Sequence, residues 1–343
     1  MMPIQEIFYL IFAQIILNLF LILKLNSFAK IINIYDFPDK NLKFHKKPIP
    51  LIGGIFIIFN LILTYLLLSF LDNNFIPSKL NFHDQLSIYI SVILLFLVGI
   101  YDDKKNLNPI MKLFISSIII SISIFISNYL IIDSISISFL EKRIFFGKFG
   151  FLFSILCILL FIHATNLFDG INLQSILYFI IIFIYLLIYS NFKIICLSLI
   201  ISLIFLLFMN FKNYLFLGDS GIYLLSSIAA FILIYEHNLF RTIIYGDEIF
   251  VLMMMPGIDM IRLVILRIFQ GKNAFKGDRN HIHHLLIKRF SLINTNLVVI
   301  SMTIFPIFIF KIFNMSILNT IISFLIIYII VITKLLKFKN ETK

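Results

Sequence analysis

Lys276-Gly277-Asp278-Arg279-Asn280-His281-Ile282-His283-His284-Leu285-Leu286 lies in the longest polar insertion of an otherwise oily chain, between the apolar runs 244–266 and 292–311. Three of the seven histidines fall within four residues here. A stretch this polar is costly inside hydrocarbon, so it reads as a loop between two membrane spans. Its cations and imidazoles suit an anionic partner at a membrane surface.

Composition supports that reading. Of 343 residues, 61% are hydrophobic and 13% charged, and mean hydropathy is +1.06. Soluble domains are far more polar. Apolar runs near the length of a bilayer crossing recur throughout, which predicts an all-α, polytopic transmembrane helical bundle of about eleven spans. The spans are placed near 4–25, 49–71, 86–101, 110–132, 150–166, 173–190, 192–209, 220–237, 244–266, 292–311 and 315–334. They leave no room for a second soluble domain, so 1–343 reads as a single integral-membrane domain. The alternation through Ser134-Ile135-Ser136-Ile137-Ser138, followed by Glu141 to Gly147, predicts a small hairpin between spans.

Net charge is +11. In a membrane chain this reports basic loops on the cytoplasmic side and not nucleic-acid binding. With the N-terminus outside, only Lys79, Lys142, Arg143, Lys148, Lys193, Arg241 and Lys311 fall on the outer side. The remaining lysines and arginines lie inside, as does every motif below, which predicts a site on the cytoplasmic face and a cytoplasmic C-terminus. The first apolar run follows Glu6 with no basic lead and reads as a span, not a cleaved signal. Cys157 and Cys196 lie in apolar runs and read as inert.

Five polar blocks interrupt the spans. His45-Lys46-Lys47-Pro48-Ile49-Pro50, then Gly53-Gly54, reads either as a lipid-anchoring basic loop or as an ammonium cluster for phosphates with a close backbone approach behind it. Asp102-Asp103 ends the third span beside Lys104 and Lys105. The pair is either a solvated cap or a place for a hard cation or a base. Asn166, Asp169 and Asn172 recur every three residues, so at helical pitch or in a tight turn they would share a face. Phe216-Leu217-Gly218-Asp219-Ser220-Gly221 reads as a helix N-cap or as a metal ligand beside free N–H groups. The histidine block, with Arg279 nearby and no cysteine near, suits diphosphate oxygens better than structural zinc.

In this order, Lys-Pro-x-Pro-x-x-Gly-Gly, Asp-Asp, Asn-x-x-Asp-Gly, Phe-x-Gly-Asp-x-Gly and His-Ile-His-His resemble the polyprenyl-phosphate N-acetylhexosamine-1-phosphate transferases of glycosyltransferase family 4. Eleven spans with a two-span tail look more like the branch of undecaprenyl-phosphate GlcNAc-1-phosphate transferases than the phospho-N-acetylmuramoyl-pentapeptide transferases. The resemblance implies an enzyme of the bacterial inner membrane, a Mg²⁺-dependent phosphotransferase for which Mn²⁺ is an alternative. Its substrates would be a UDP-N-acetylhexosamine and undecaprenyl phosphate, its products UMP and a lipid diphosphate sugar at the first membrane step of an envelope polysaccharide such as O-antigen. It implies Asp219 and Asn166 at the metal, and Asp102, Asp103 and Asp169 in the catalytic centre, without deciding which is the base. Lys46, Lys112, Arg279, His281, His283 and His284 would hold phosphates, and Phe216 and Asn172 the nucleotide. Many bacterial members have Asp where this chain has Asn172. A homodimer is compatible with the reading. Transfer of phospho-MurNAc-pentapeptide is the alternative within the family, and a transporter or flippase the alternative outside it; ionisable residues at helix ends on one face argue against the latter.

Overall fold

The computed structural model describes residues 3–38, 47–71, 76–140, 142–272 and 279–341. Lys46 and Lys276 lie outside the described residues. The chain is an all-α membrane bundle. Helix α1 (Ile4–Leu23) is followed by the short amphipathic α2 (Leu25–Ile32). The two-residue strands β1 (Tyr35–Asp36) and β2 (Ile49–Pro50) pair antiparallel and lead into α3 (Gly53–Phe70). Next come α4 (Phe82–Lys105) and α5 (Pro109–Ile126), the hairpin strands β3 (Ser134–Ser136) and β4 (Arg143–Phe145), and α6 (Gly150–Phe168). Then follow α7 (Gln174–Tyr189), α8 (Lys193–Phe211), α9 (Gly218–Tyr235) and α10 (Gly246–Phe269). The histidine block forms the short α11 (Ile282–Leu286), and α12 (Leu292–Ile312) and α13 (Ile317–Glu341) complete the chain.

Ten helical segments among the described residues are long and apolar enough to cross a bilayer, and the shorter α7 makes an eleventh apolar helix. The expected spans are therefore present, with shifted ends. The second starts at Gly53, because Ile49-Pro50 pairs with β1 instead of entering a helix. The fourth stops at Ile126, and the third begins at Phe82 behind a reciprocal cap between Asn81 and Asp84. The hairpin stands where alternation placed it, with Ser134 opposite Phe145.

Helix α9 is the axis. Of the most apolar 18 residues within Gly218–Phe240, 94% are buried, against 22% in α1. A helix apolar all round belongs at the centre of a bundle, with α3, α4 and α6 around it. Apolar side chains gain little from leaving lipid for protein, so close packing and interhelical hydrogen bonds must hold such a bundle. Glycine permits the packing. A Cβ on Gly99 of α4 would stand 2.5 Å from Ser220 Cα, and one on Gly54 of α3 2.6 Å from Gly221 N. The hydrogen bonds come from amides and hydroxyls buried between α1, α3 and α8. Asn18 and Asn60 exchange bonds at 2.8 and 3.1 Å, and Gln14 donates to Thr64 at 2.8 Å and also to Ser198.

The glycine contacts give a direct test. Gly99→Ala should lower stability in detergent by about 1–3 kcal/mol, the usual cost of overpacking against backbone that cannot retreat. Gly257→Ala in α10 meets nothing within 4 Å and should change it by less than about 0.5 kcal/mol. Thermal unfolding of the two variants side by side checks this; equal midpoints would contradict the packing argument.

Candidate active site

The polar blocks meet at one end of the bundle. The C-terminal ends of α4 and α6 and the N-terminal ends of α5 and α9 converge there. Asp219, in the first turn of α9, is the hub. Its Oδ1 accepts from Asn166 Nδ2 at 2.7 Å, and its Oδ2 lies 3.3 Å from Lys112 Nζ. Lys112 also forms an ion pair with Asp102. One ammonium thus stands between two carboxylates from different helices, all partly withdrawn from water, where such pairs are strongest.

The adjacent carboxylates Asp102 and Asp103 do different work. Asp102 points to Lys112 and accepts from Leu107 N–H at 2.8 Å, which fixes the chain as it leaves α4. Asn106 caps that end in the left-handed region at φ 50°, a conformation asparagine tolerates. Asp103 points to α9, where its oxygens accept from the N–H groups of Asp219 and Ser220 at 2.7 and 3.0 Å. A helix N-terminus leaves N–H groups unpaired and carries partial positive charge, so a carboxylate is favourable there. Gly218 makes it reachable: its φ is +74°, and a Cβ would stand 2.7 Å from Asp103 Oδ2.

Asn166, Asp169 and Asn172 do not share a helical face, because α6 ends at Phe168. The turn sends them apart. Asn166 goes to Asp219, and Asp169 caps α6. Asn172 donates to Asn213 Oδ1 at 2.6 Å. Leu173, left-handed at φ 74°, is held by its N–H donating to Asn210 Oδ1 at 2.7 Å. Asn210 and Asn213 carry no motif and escape a reading of the sequence; nothing there distinguishes them from other polar ends of helices.

Phe216 is fixed through its backbone. Its N–H donates to Pro50 O at 3.0 Å, and its carbonyl accepts from Gly53 N–H at 3.1 Å. The Pro-x-Pro-x-x-Gly-Gly and Phe-x-Gly-Asp-x-Gly blocks are thus stitched together. A cleft of about 1450 Å³ opens beside them, lined by Asp102, Asp103, Asp169, Asn172, Phe216 and Asp219 among others.

The histidines stack against this centre. His281 and His283 lie ring on ring at 5.4 Å, with His284 4.3 Å from His283. His283 is fully buried, and Gln174 Nε2 lies 3.2 Å from its Nδ1. A Cβ on Gly170 would stand 1.9 Å from His283 Nε2, so the Asp-Gly turn exists partly to admit this ring. His281 Nδ1 lies 2.9 Å from Asp259. Arg279 stands at the start of this block, half-buried.

Burial pushes the Asp169 carboxyl up to about 7, and the charge of Asp219 adds to the effect. Burial also draws His284 down to about 4 and holds His283 well below the usual imidazole range, with neighbouring histidines contributing to both. A raised carboxyl binds its proton more tightly when folded. Its contribution to stability is therefore greatest below the unfolded value of 3.8 and declines as pH climbs through about 7. His284 acts oppositely, gaining stability as pH rises from about 4 to 6.5. Asp169→Asn isolates the first effect. Its melting midpoint relative to the parent should rise steadily from about pH 4 to about pH 7 and then level; a flat difference would contradict the assignment.

The glycosyl transferase family 4 model matches residues 85–237. An undecaprenyl-phosphate alpha-N-acetylglucosaminyl 1-phosphate transferase of Yersinia pestis is 25% identical over 268 residues, covering 75% of this chain and 70% of the relative. The enzyme of the same description from Escherichia coli K12 is 23% identical over 76% of this chain and 71% of its own. A probable undecaprenyl-phosphate N-acetylglucosaminyl 1-phosphate transferase of Bacillus subtilis is 27% identical over 72% and 68%. The resemblance carried by the motifs is thus met independently: the chain matches the glycosyl transferase family 4 model through its central helices and is similar to these transferases over most of its length.

Proposed function

We propose that this protein transfers an N-acetylhexosamine 1-phosphate, of the GlcNAc type, from a UDP-sugar to undecaprenyl phosphate and releases UMP. The observation that carries the reading is the convergence of Asp102 and Asp219 on Lys112 beside a cleft at one end of a membrane bundle. An acceptor phosphate oxygen attacks the phosphorus that bears the sugar, and its bond to the bridging oxygen of UMP breaks. Nearly all of the catalysis in such a transfer is positioning and charge neutralisation.

Magnesium suits these residues. Among the described residues no three His, Cys, Asp or Glu side chains gather into a metal-binding group. Mg²⁺ does not require one, since it favours one or two carboxylates completed by substrate phosphates and water. Asp219 would hold it with Asn166 at hand, and Lys112 already marks the place as one where positive charge is stabilised. When bound, the ion would neutralise diphosphate oxygens and make the sugar-bearing phosphorus more electrophilic.

This chain's own groups supply the rest. Asp103 holds the first turn of α9, and with it Asp219, in place. Lys112, Arg279, His281 and His284 would meet phosphate oxygens, as would Lys46. His283, expected from the motif to hold phosphate, is fully buried with its ring against Gly170, and so backs His281 and the Asp169 turn instead. Phe216 would stack on the base and Asn172 meet its edge, an amide serving where relatives use a carboxylate. The excess of basic residues in the loops on this side supports a site at the cytoplasmic surface of the bacterial inner membrane, with the N-terminus outside. There the lipid arrives through the bilayer and the nucleotide from solution. Activity as a dimer is compatible with this arrangement.

Purified protein with undecaprenyl phosphate, Mg²⁺ and a panel of UDP-N-acetylhexosamines should release UMP with one sugar, and only when the lipid is present. Asp219→Ala should lose about 10²–10³-fold of that rate, as expected when preorganised charge stabilisation is removed, while keeping its melting midpoint within a few degrees. Normal turnover in this variant would overturn the site. Release only from UDP-MurNAc-pentapeptide would move the chain to the peptidoglycan reaction.

A further inference from the structure

Asp259 of α10 is 1% exposed, and its two oxygens are saturated. Tyr328 Oη donates to Oδ1 at 2.8 Å and Arg262 donates to the same oxygen at 2.7 Å. His281 Nδ1 lies 2.9 Å from Oδ2, and the Ile282 N–H reaches the two oxygens at 3.3 and 3.4 Å. The Tyr328 oxygen in turn accepts from Arg262 Nε at 2.8 Å, and Arg262 donates to the Asn280 carbonyl at 2.7 Å. Tyr328 is itself 3% exposed and lies on α13, far beyond the matched residues 85–237.

The cluster has a chemical consequence. An ionised carboxylate only accepts, so Nδ1 of His281 carries the proton in this contact and Nε2 is the nitrogen left for a ligand. A histidine held by a carboxylate through one nitrogen has its ring orientation fixed for whatever meets the other. The cluster also pins the backbone on both sides of His281, through Asn280 O and Ile282 N. Tyr328 and Arg262 join α13 to that bracket. Without the hydroxyl, Asp259 and Arg262 each lose a buried partner.

We infer that Tyr328 is a positioning residue: acting through Asp259, it holds His281 and its loop in the pose that meets the diphosphate of the nucleotide sugar. The inference rests on the transferase reading for its ligand, but not for the bracket itself. The last helix is accordingly a working part of the site.

Tyr328→Phe keeps the ring and its stacking on Phe324, whose centroid is 6.2 Å away. Full-length parent and variant are compared in liposomes by steady-state kinetics, and by hydrogen exchange over residues 279–286. The variant should lose roughly tenfold in kcat/KM for the UDP-sugar, the usual scale for one unpartnered buried group. KM for undecaprenyl phosphate should stay within about twofold, because a lost brace on one substrate's loop leaves uniform binding of the other intact. Exchange at Ile282 should quicken while the melting midpoint holds. Unchanged exchange and kinetics, or equal losses for both substrates with a lower midpoint, would overturn the inference. If the parent releases no UMP with any UDP-sugar, the transferase reading fails and the ligand assignment with it; faster exchange in the variant would then still establish the bracket, and unchanged exchange would remove it.

Discussion

The contact between Asp103 and the first turn of α9 is the constraint on which the rest depends. It pairs N–H groups that a buried helix start would otherwise leave unsatisfied, at 2.7 and 3.0 Å. It also sets the depth of α9 against α4. That depth decides where Asp219 sits, one residue into the helix, and so where Lys112 and Asn166 must reach to meet it. Gly99, Gly54 and Gly218 are consequences of the same closeness. Each lies where a Cβ would strike backbone or the Asp103 carboxylate.

Lipid solvation explains why the chemistry lies at one end. Charged groups deep in hydrocarbon are expensive, whereas helix termini offer both water and oriented backbone dipoles. Asp102 and Asp103 close α4, Lys112 opens α5, Asn166 closes α6 and Asp219 opens α9. The end of α4, the start of α9 and the turn after α6 meet there and line the cleft. The buried amides and hydroxyls between α1, α3 and α8 hold the scaffold and carry no charge.

The span pattern was legible because hydropathy is additive along a chain, so run lengths alone locate the eleven long apolar helices, with ends off by up to about seven residues, but not the short α2 and α11. Ends were less legible. Ile49-Pro50 reads as the start of a span yet pairs as a strand, since Pro50 and Phe216 meet only in three dimensions. The Asp102-Asp103 doublet was visible as a pair, but not its division between Lys112 and α9, which depends on helix rotation. The three-residue spacing of Asn166, Asp169 and Asn172 suggested one face, whereas the helix stops at Phe168 and the turn disperses them. Asp259 and Arg262 lie near the end of the ninth span, and nothing in the linear sequence pairs them with a residue some 66 positions further on. Tyr328 gave no signal, because a tyrosine in an apolar run looks like any interfacial aromatic.

The central claim is chemical: bond breaking occurs between the two phosphorus atoms of the donor, not at the sugar carbon. UDP-N-acetylhexosamine labelled with ³²P at the sugar-bearing phosphate separates the two in one measurement, using protein in liposomes that contain undecaprenyl phosphate. The account predicts that the label enters the lipid fraction while UMP appears in solution in equal amount. Label leaving in UDP while the sugar alone enters the lipid would contradict it.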